Sequence, residues 1–183
     1  MSLSDGITTV TIADGGLGDS NAAAGAVTWI GSLGVWNINV STGLTKPILG
    51  SAGSPHMDLN SVNTSTAAGT MTIMFTDTDF TGGLPNVTAA TEIGGTTAGS
   101  VAYSTFLGAN NVAFENTHGL TSQLFTTTPF SGISAGSANG LTGTAYSLTQ
   151  KIVITHKGAG ATSFDASATV PEPMASSAKV ASP

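Results

Sequence analysis

Residues 145–173 read AYSLTQKIVITHKGAGATSFDASATVPEP, and the period of this stretch decides the fold class. Within Tyr146–His156, Ile152 and Ile154 share one face while Lys151, Val153 and Thr155 share the other, the two-residue alternation of a strand. Ala161–Val170 repeats the pattern, with Phe164, Ala166, Ala168 and Val170 set against Ser163, Asp165, Ser167 and Thr169. Lys157-Gly158-Ala159-Gly160 separates the two runs, and its glycines suit the positive φ of a short loop, so the sequence predicts a hairpin. Pairing is expected to end in Val170-Pro171-Glu172-Pro173, because proline has no N–H to give a ladder.

Working outward, strand signals recur and helix signals do not. Ile7–Ala13 alternates between an apolar and a threonine-rich face, and Asp14-Gly15-Gly16-Leu17-Gly18-Asp19 ends it as a turn. Ala26–Ile30 and Val35–Val40 read as a pair, with Trp36, Ile38 and Val40 on one side. Met57–Val62 follows a Gly53-Ser54-Pro55 breaker, and Gly69–Phe75 is the clearest central strand, with Met71, Ile73 and Phe75 facing one way. Asp77–Pro85 reads as a turn region, and Asn86–Glu92, Val101–Leu107 and Leu120–Thr128 as further strands. Only Asn21–Gly25 and Ala175–Val180 are compatible with short helices.

About nine or ten short strands separated by Gly, Asn, Ser and Pro turns predict an all-β fold: an antiparallel two-sheet β-sandwich, jelly-roll-like, in a single domain. Residues 1–6 are expected to be an N-terminal extension, residues 7–170 the sandwich, and residues 171–183 a Pro-Glu-Pro motif with a polar tail. The expected core is Ile12, Trp29, Trp36, Ile38, Leu59, Ile73, Phe75, Phe106, Leu124, Ile152, Ile154 and Phe164. Each such side chain contributes about 1.5–3 kcal/mol when buried, which offsets the ordering entropy of a chain rich in Gly and Thr.

The closing motif carries a resemblance. A last strand running into Val170-Pro171-Glu172-Pro173 resembles the C-terminus of secreted bacterial PEP-CTERM proteins, whose sorting motif would here be Pro171, Glu172 and Pro173. Thr11-Ile12-Ala13-Asp14, Leu44-Thr45-Lys46-Pro47, Asp58-Leu59-Asn60-Ser61-Val62-Asn63, Phe75-Thr76-Asp77-Thr78-Asp79-Phe80 and the Ile154–Asp165 region are similar to stretches recurring in one group of that family. The resemblance implies export to a bacterial cell surface or exopolysaccharide matrix, and no common enzymatic activity. Family members continue into an apolar span and an arginine cluster, whereas Met174–Pro183 reads MASSAKVASP and the chain has no arginine. That tail is too short and polar to cross a bilayer, so the expectation is a removed or replaced anchor, or a departure in sorting. With no apolar leader before residue 7, Met1 is read as the start of a mature or recombinant form.

Composition narrows the classes of partner. Charged residues are 8% of the 183, against about a quarter in typical globular chains, as befits an extracellular β-protein. A net charge of −6 with four lysines argues against nucleic acid and other polyanions, which need clustered cations. The absence of cysteine removes disulfides and thiolate metal sites.

Candidate chemistry is sparse. Gly132-Ile133-Ser134-Ala135-Gly136 matches the G-x-S-x-G elbow, but it reads as a Gly/Ser loop and His156 precedes Asp165, the reverse of the required order. Gly15–Ser20 resembles a calcium nonapeptide with its aspartate one position early and reads as a turn. Asp77 and Asp79 are the metal candidates: at i and i+2 of an extended segment both carboxylates share a face, about 7 Å apart, and calcium prefers such oxygen ligands. The competing reading is an acidic turn capping the preceding strand. With Glu92, Glu115 and Glu172 as the only glutamates, no glycosidase pair stands out, and His56, His118 and His156 lack ligand spacing.

Two functions follow from different premises. The first is a non-enzymatic structural protein of the extracellular matrix or cell surface, self-assembling when an unpaired Ser2–Ala13 or Ala175–Pro183 segment adds to a neighbour's sheet. The second is a carbohydrate-binding β-sandwich, with calcium as its one candidate cofactor, for which only Trp29, Trp36, Tyr103 and Tyr146 are at hand to stack on sugar rings.

Overall fold

The computed structural model describes residues 1–171, and among them every regular element is a strand. The strands are β1 (Ser2–Ser4), β2 (Thr9–Thr11), β3 (Ala26–Leu33), β4 (Trp36–Leu44), β5 (His56–Ser65) and β6 (Gly69–Phe80). They continue as β7 (Val87–Thr97), β8 (Ser100–Gly108), β9 (His118–Phe125), β10 (Phe130–Ala138), β11 (Tyr146–His156) and β12 (Gly160–Thr169).

Two antiparallel six-stranded sheets face each other: β2-β1-β6-β11-β8-β9 and β10-β7-β12-β5-β4-β3. The eight strands β5 to β12 follow jelly-roll order, changing sheet at every step except β8 to β9, with β6-β11-β8-β9 facing β5-β12-β7-β10. The remaining strands extend each sheet at one edge. The inward rows are those with the apolar period: Met71, Ile73 and Phe75 on β6, Ile152 and Ile154 on β11, Met57 and Leu59 on β5, and Phe164, Ala166 and Ala168 on β12 are all buried.

The closing stretch corrects one expectation. β11 pairs with β6 and β8, while β12 pairs with β5 and β7, so Lys157–Ala159 is an arch between facing sheets and not a hairpin loop. Both strands turn their apolar rows to the same core, which satisfies the same alternation without a shared ladder. Residues 1–6 are not an extension either: β1 lies between β2 and β6, and Met1 and Leu3 are buried. Within Ser2–Ala13, β1 is paired on both sides and β2 on one, at the edge of the sheet, and Ala175–Pro183 lies outside the described residues. β6 runs on through Asp77–Phe80, where a turn was expected, because Phe80 is buried against Tyr146 with ring centroids 6.0 Å apart. Asn21–Gly25 forms turns and no helix.

Nine of the twelve expected core side chains are buried; Trp29 and Phe106 are half-buried and Leu124 is 67% exposed. On β8 the inward row is Val101, Tyr103, Thr105 and Leu107, which turns Phe106 outward. Leu124 pairs with Ala102, a member of that same outward row.

Candidate functional site

The candidate site lies on the outer face of the second sheet, where β5, β12, β7 and β10 run side by side. Their registers align two rows across the strands. One row is Asp58, Ser167, Glu92 and Ile133; the next is Asn60, Asp165, Gly94 and Ser131. Because side chains alternate between faces, every member of both rows points away from the core. The rows bound an open groove of about 690 Å³ lined by Asp58, Glu92, Gly94, Ser131, Ile133 and Asp165 among others.

Two residues shape its ends. Gly94 is the register partner of Asp165, and a Cβ placed there would meet only the Phe130 carbonyl oxygen, at 3.7 Å, so the floor falls to backbone level. Ile133, 82% exposed, stands at the β10 side as an apolar wall. Beneath the floor, the Tyr103 hydroxyl reaches across the core from the first sheet to within 3.0 Å of the Ser167 carbonyl oxygen and 2.7 Å of Gln150 Oε1. On the surface, Ser167 Oγ donates to Glu92 Oε1 at 3.3 Å.

The carboxyls are not equivalent. Burial, the neighbouring negative charge of Asp165 and a hydrogen bond to it push the Asp58 carboxyl up to about 6, with Asn60 opposing the shift. Near pH 6 the Asp58 carboxyl thus takes up and releases a proton, so that it can donate an O–H below that point and only accept above it. Lys46, Lys151 and Lys157 all lie off these four strands' outer rows, so the acidic face has no lysine of its own among the described residues.

Sequence reasoning named none of this cluster. Asp58, Glu92 and Asp165 each occupy outward positions of alternating strands, which was visible, but only the jelly-roll strand order makes those strands neighbours. Nor do the expected stacking residues form a sugar platform: Trp36, Tyr103 and Tyr146 are buried, and Trp29 is half-buried.

The metal candidates sit elsewhere, at the end of β6. Asp77 Oδ2 accepts hydrogen bonds from Lys46 Nζ at 2.7 Å and Thr45 Oγ1 at 2.8 Å. Asp79 adopts φ 61°, outside the extended region, and exchanges two hydrogen bonds with Asn111, both 2.7 Å. The left-handed turn breaks the i, i+2 geometry on which a shared face depended, and each carboxylate is held by its own partner. Asp19 gathers the N–H groups of Gly15, Asn21 and Thr28 at 2.9–3.0 Å, the turn expected there.

Gly132–Gly136 is likewise a correction. It is not a loop but the middle of β10, paired with β7 residue by residue from Phe130–Gly95 to Ala138–Val87. Its small residues answer to crowding: a Cβ on Gly136 would collide with the Leu120 carbonyl of β9, and one on Gly132 would come within 2.6 Å of Gln123 Nε2. Ser134 sits on a flat strand and not on an elbow. Pro171 follows the last strand, and Glu172 and Pro173 lie outside the described residues.

No protein family's sequence signature matches the chain, and no curated protein matches it by sequence. Among solved structures it is similar to a carbohydrate-binding module of the β-sandwich superfamily with promiscuous specificity, at 13% identity and TM-score 0.42, over 84% of this chain and 56% of that one. The chain thus spans little more than half the length of that protein. It is also similar to the CBM22-1 xylan-binding domain of Paenibacillus barcinonensis Xyn10C, at 10% identity and TM-score 0.36, over 85% of this chain and 90% of that one. A third is TmCBM61 in complex with β-1,4-galactotriose, at 9% identity and TM-score 0.29, over 80% of this chain and 83% of that one. Similarity at this level leaves the chemistry of the groove to its own residues.

Proposed function

We propose that this chain is a non-catalytic carbohydrate-binding β-sandwich whose ligand, a polysaccharide, lies in the groove across β5, β12, β7 and β10. The observation that carries the reading is the pair of aligned rows, Asp58-Ser167-Glu92-Ile133 and Asn60-Asp165-Gly94-Ser131, which set carboxyls and hydroxyls around an open floor. Sugar hydroxyls are both donors and acceptors, and carboxylates accept from them in short, charge-assisted bonds. A groove open along its length fits an extended chain better than a compact solute.

Binding rather than hydrolysis follows from the carboxyl geometry. Asp58 and Asp165 stand on the adjacent strands β5 and β12, close enough for the charge of one to raise the carboxyl of the other, whereas glycoside hydrolysis uses two carboxyls held about 5 Å or more apart with the sugar between them. The Val170-Pro171-Glu172-Pro173 ending supports a bacterial extracellular or surface setting in which such a domain would hold matrix polysaccharide.

The test is affinity electrophoresis through gels containing neutral, anionic or amino polysaccharides. Retardation by at least one neutral polysaccharide is expected, and it should vanish in Gly94→Gln, which fills the floor, and weaken in Asp165→Asn. Gly94→Gln has room for its Cβ, so circular dichroism should stay unchanged. Migration unaffected by every polysaccharide, or retardation identical in the variants, would overturn the reading.

A further inference from the structure

His156 ends β11 in the first sheet, yet both of its ring nitrogens are bonded to the second. Nδ1 is 2.7 Å from Ser65 Oγ on β5, and Nε2 is 2.7 Å from Thr162 Oγ1 on β12. The ring is 2% exposed and packs on Trp36 of β4 with centroids 4.8 Å apart.

The directions of these bonds are fixed by the groups at either end. Ser65 donates its one hydroxyl proton to the Gly158 carbonyl at 3.1 Å, so toward His156 it can only accept, and Nδ1 carries the ring proton. Nε2 is then bare and accepts from Thr162. Thr162 in turn lies 2.8 Å from Thr97 Oγ1, and Thr97 accepts from the Gly99 N–H at 3.1 Å. The result is one directional chain: Gly99 N–H to Thr97, Thr97 to Thr162, Thr162 to Nε2, and Nδ1–H through Ser65 to Gly158. It ties the β5 end, the β7–β8 turn and the β11–β12 arch together, and every link is satisfied only by a neutral ring.

A second ring proton breaks the chain. Nε2–H would force Thr162 to accept, its own proton would swing to Thr97, and the Thr97 hydroxyl, 6% exposed, would lose its acceptor. No charge compensates. The side chains bonded to or stacked on the ring belong to Ser65, Thr162 and Trp36, with Gly158 and Gly160 of the arch and Gly99 of the β7–β8 turn nearby; none of these is ionisable, and Lys157, next in the chain, is exposed.

We propose that neutral His156 is a latch joining the two sheets at this end of the sandwich, and that acidification releases it. The direction of titration agrees, since burial holds the imidazole below its ordinary value. Stability from the latch is therefore full above pH 6.5 and is lost as pH falls through the folded-state value. The latch uses no residue of the groove, so it stands or falls independently of polysaccharide binding.

The test is amide hydrogen exchange of the full chain from pH 7.5 to 4.5, corrected for intrinsic pH dependence, beside His156→Gln. Glutamine keeps one donor and one acceptor and cannot titrate. Wild-type amides from Thr155 to Thr162 should lose protection by about tenfold per unit below the folded-state value, with His156→Gln flat over the same range. Equal pH dependence in both proteins, or protection retained at the arch, would overturn the proposal. Should His156→Gln fail to fold, ring-proton NMR of the wild type decides: His156 silent until the arch opens supports the latch, and titration at or above pH 6.5 with the arch closed refutes it.

Discussion

Replacing Asp58 with asparagine should make the protein more stable at neutral pH while weakening its groove. The Asp58 carboxyl rises from 3.8 to about 6 on folding, so between those values the folded state holds a proton that the unfolded state releases. The sign follows: the fold is not penalised below pH 3.8, and stability is lost as pH rises through about 6. A shift of about two units corresponds to a ceiling near 3 kcal/mol, and the side chain is half-buried, so solvent screening reduces the expected gain to about 1 kcal/mol. For a domain of this size that raises Tm by roughly 2–4 °C. Asparagine is isosteric, and its Nδ2 donates permanently to Asp165. Calorimetry at pH 7.5 and pH 4 reads the effect: Asp58→Asn should melt higher at pH 7.5 and match wild type at pH 4. A variant that melts lower at pH 7.5, or shows the same difference at both values, would refute the assignment of a proton shared between the two carboxyls.

Three other outcomes test the packing around this arrangement. Gly43 is buried on β4, where a Cβ would come within 2.5 Å of the Phe75 ring, so Gly43→Ala should cost about 1–3 kcal/mol in urea unfolding. Tyr103→Phe removes the hydroxyl that joins the core to the Ser167 carbonyl and should cost about 1–2 kcal/mol by the same measurement, with no loss of secondary structure. Millimolar calcium should leave the wild-type Tm unchanged, because Lys46 and Thr45 already hold Asp77; a clear rise would restore Asp77 and Asp79 as a metal pair.

The sandwich was legible wherever one face of a strand outweighed the other. Met71, Ile73 and Phe75, or Ile152 and Ile154, leave no doubt about phase. Val101–Leu107 places large apolar residues on both faces, and there Phe106 turned out while Tyr103 turned in. β10 was illegible for a different reason. Its sequence FSGISAGSA is small because β9 crowds it at Leu120 and Gln123, a constraint set by a neighbour and not by burial period. The glycine arch after His156 was misread because a loop between facing sheets and a loop within one sheet make the same demand on alternation.

The groove was the least legible feature, since it exists only in the register. Glu92 is brought opposite Ser167 by the β7–β12 ladder, and Ser167 opposite Asp58 by the β12–β5 ladder. What distinguishes these outward positions from ordinary polar surface is their energetics. A sheet can carry threonine or serine on its solvent face at no cost, as the Thr96–Ser163 and Thr88–Ser137 pairs do here. Beside them the fold keeps two mutually repelling carboxyls, one of them half-buried and held near 6, with no lysine facing them among the described residues, and with a glycine where a Cβ would have fitted. Asparagine at Asp58 would relieve the repulsion and alanine at Gly94 would strengthen the strand. A local arrangement that two simple substitutions would stabilise is the mark of a surface shaped by what it binds.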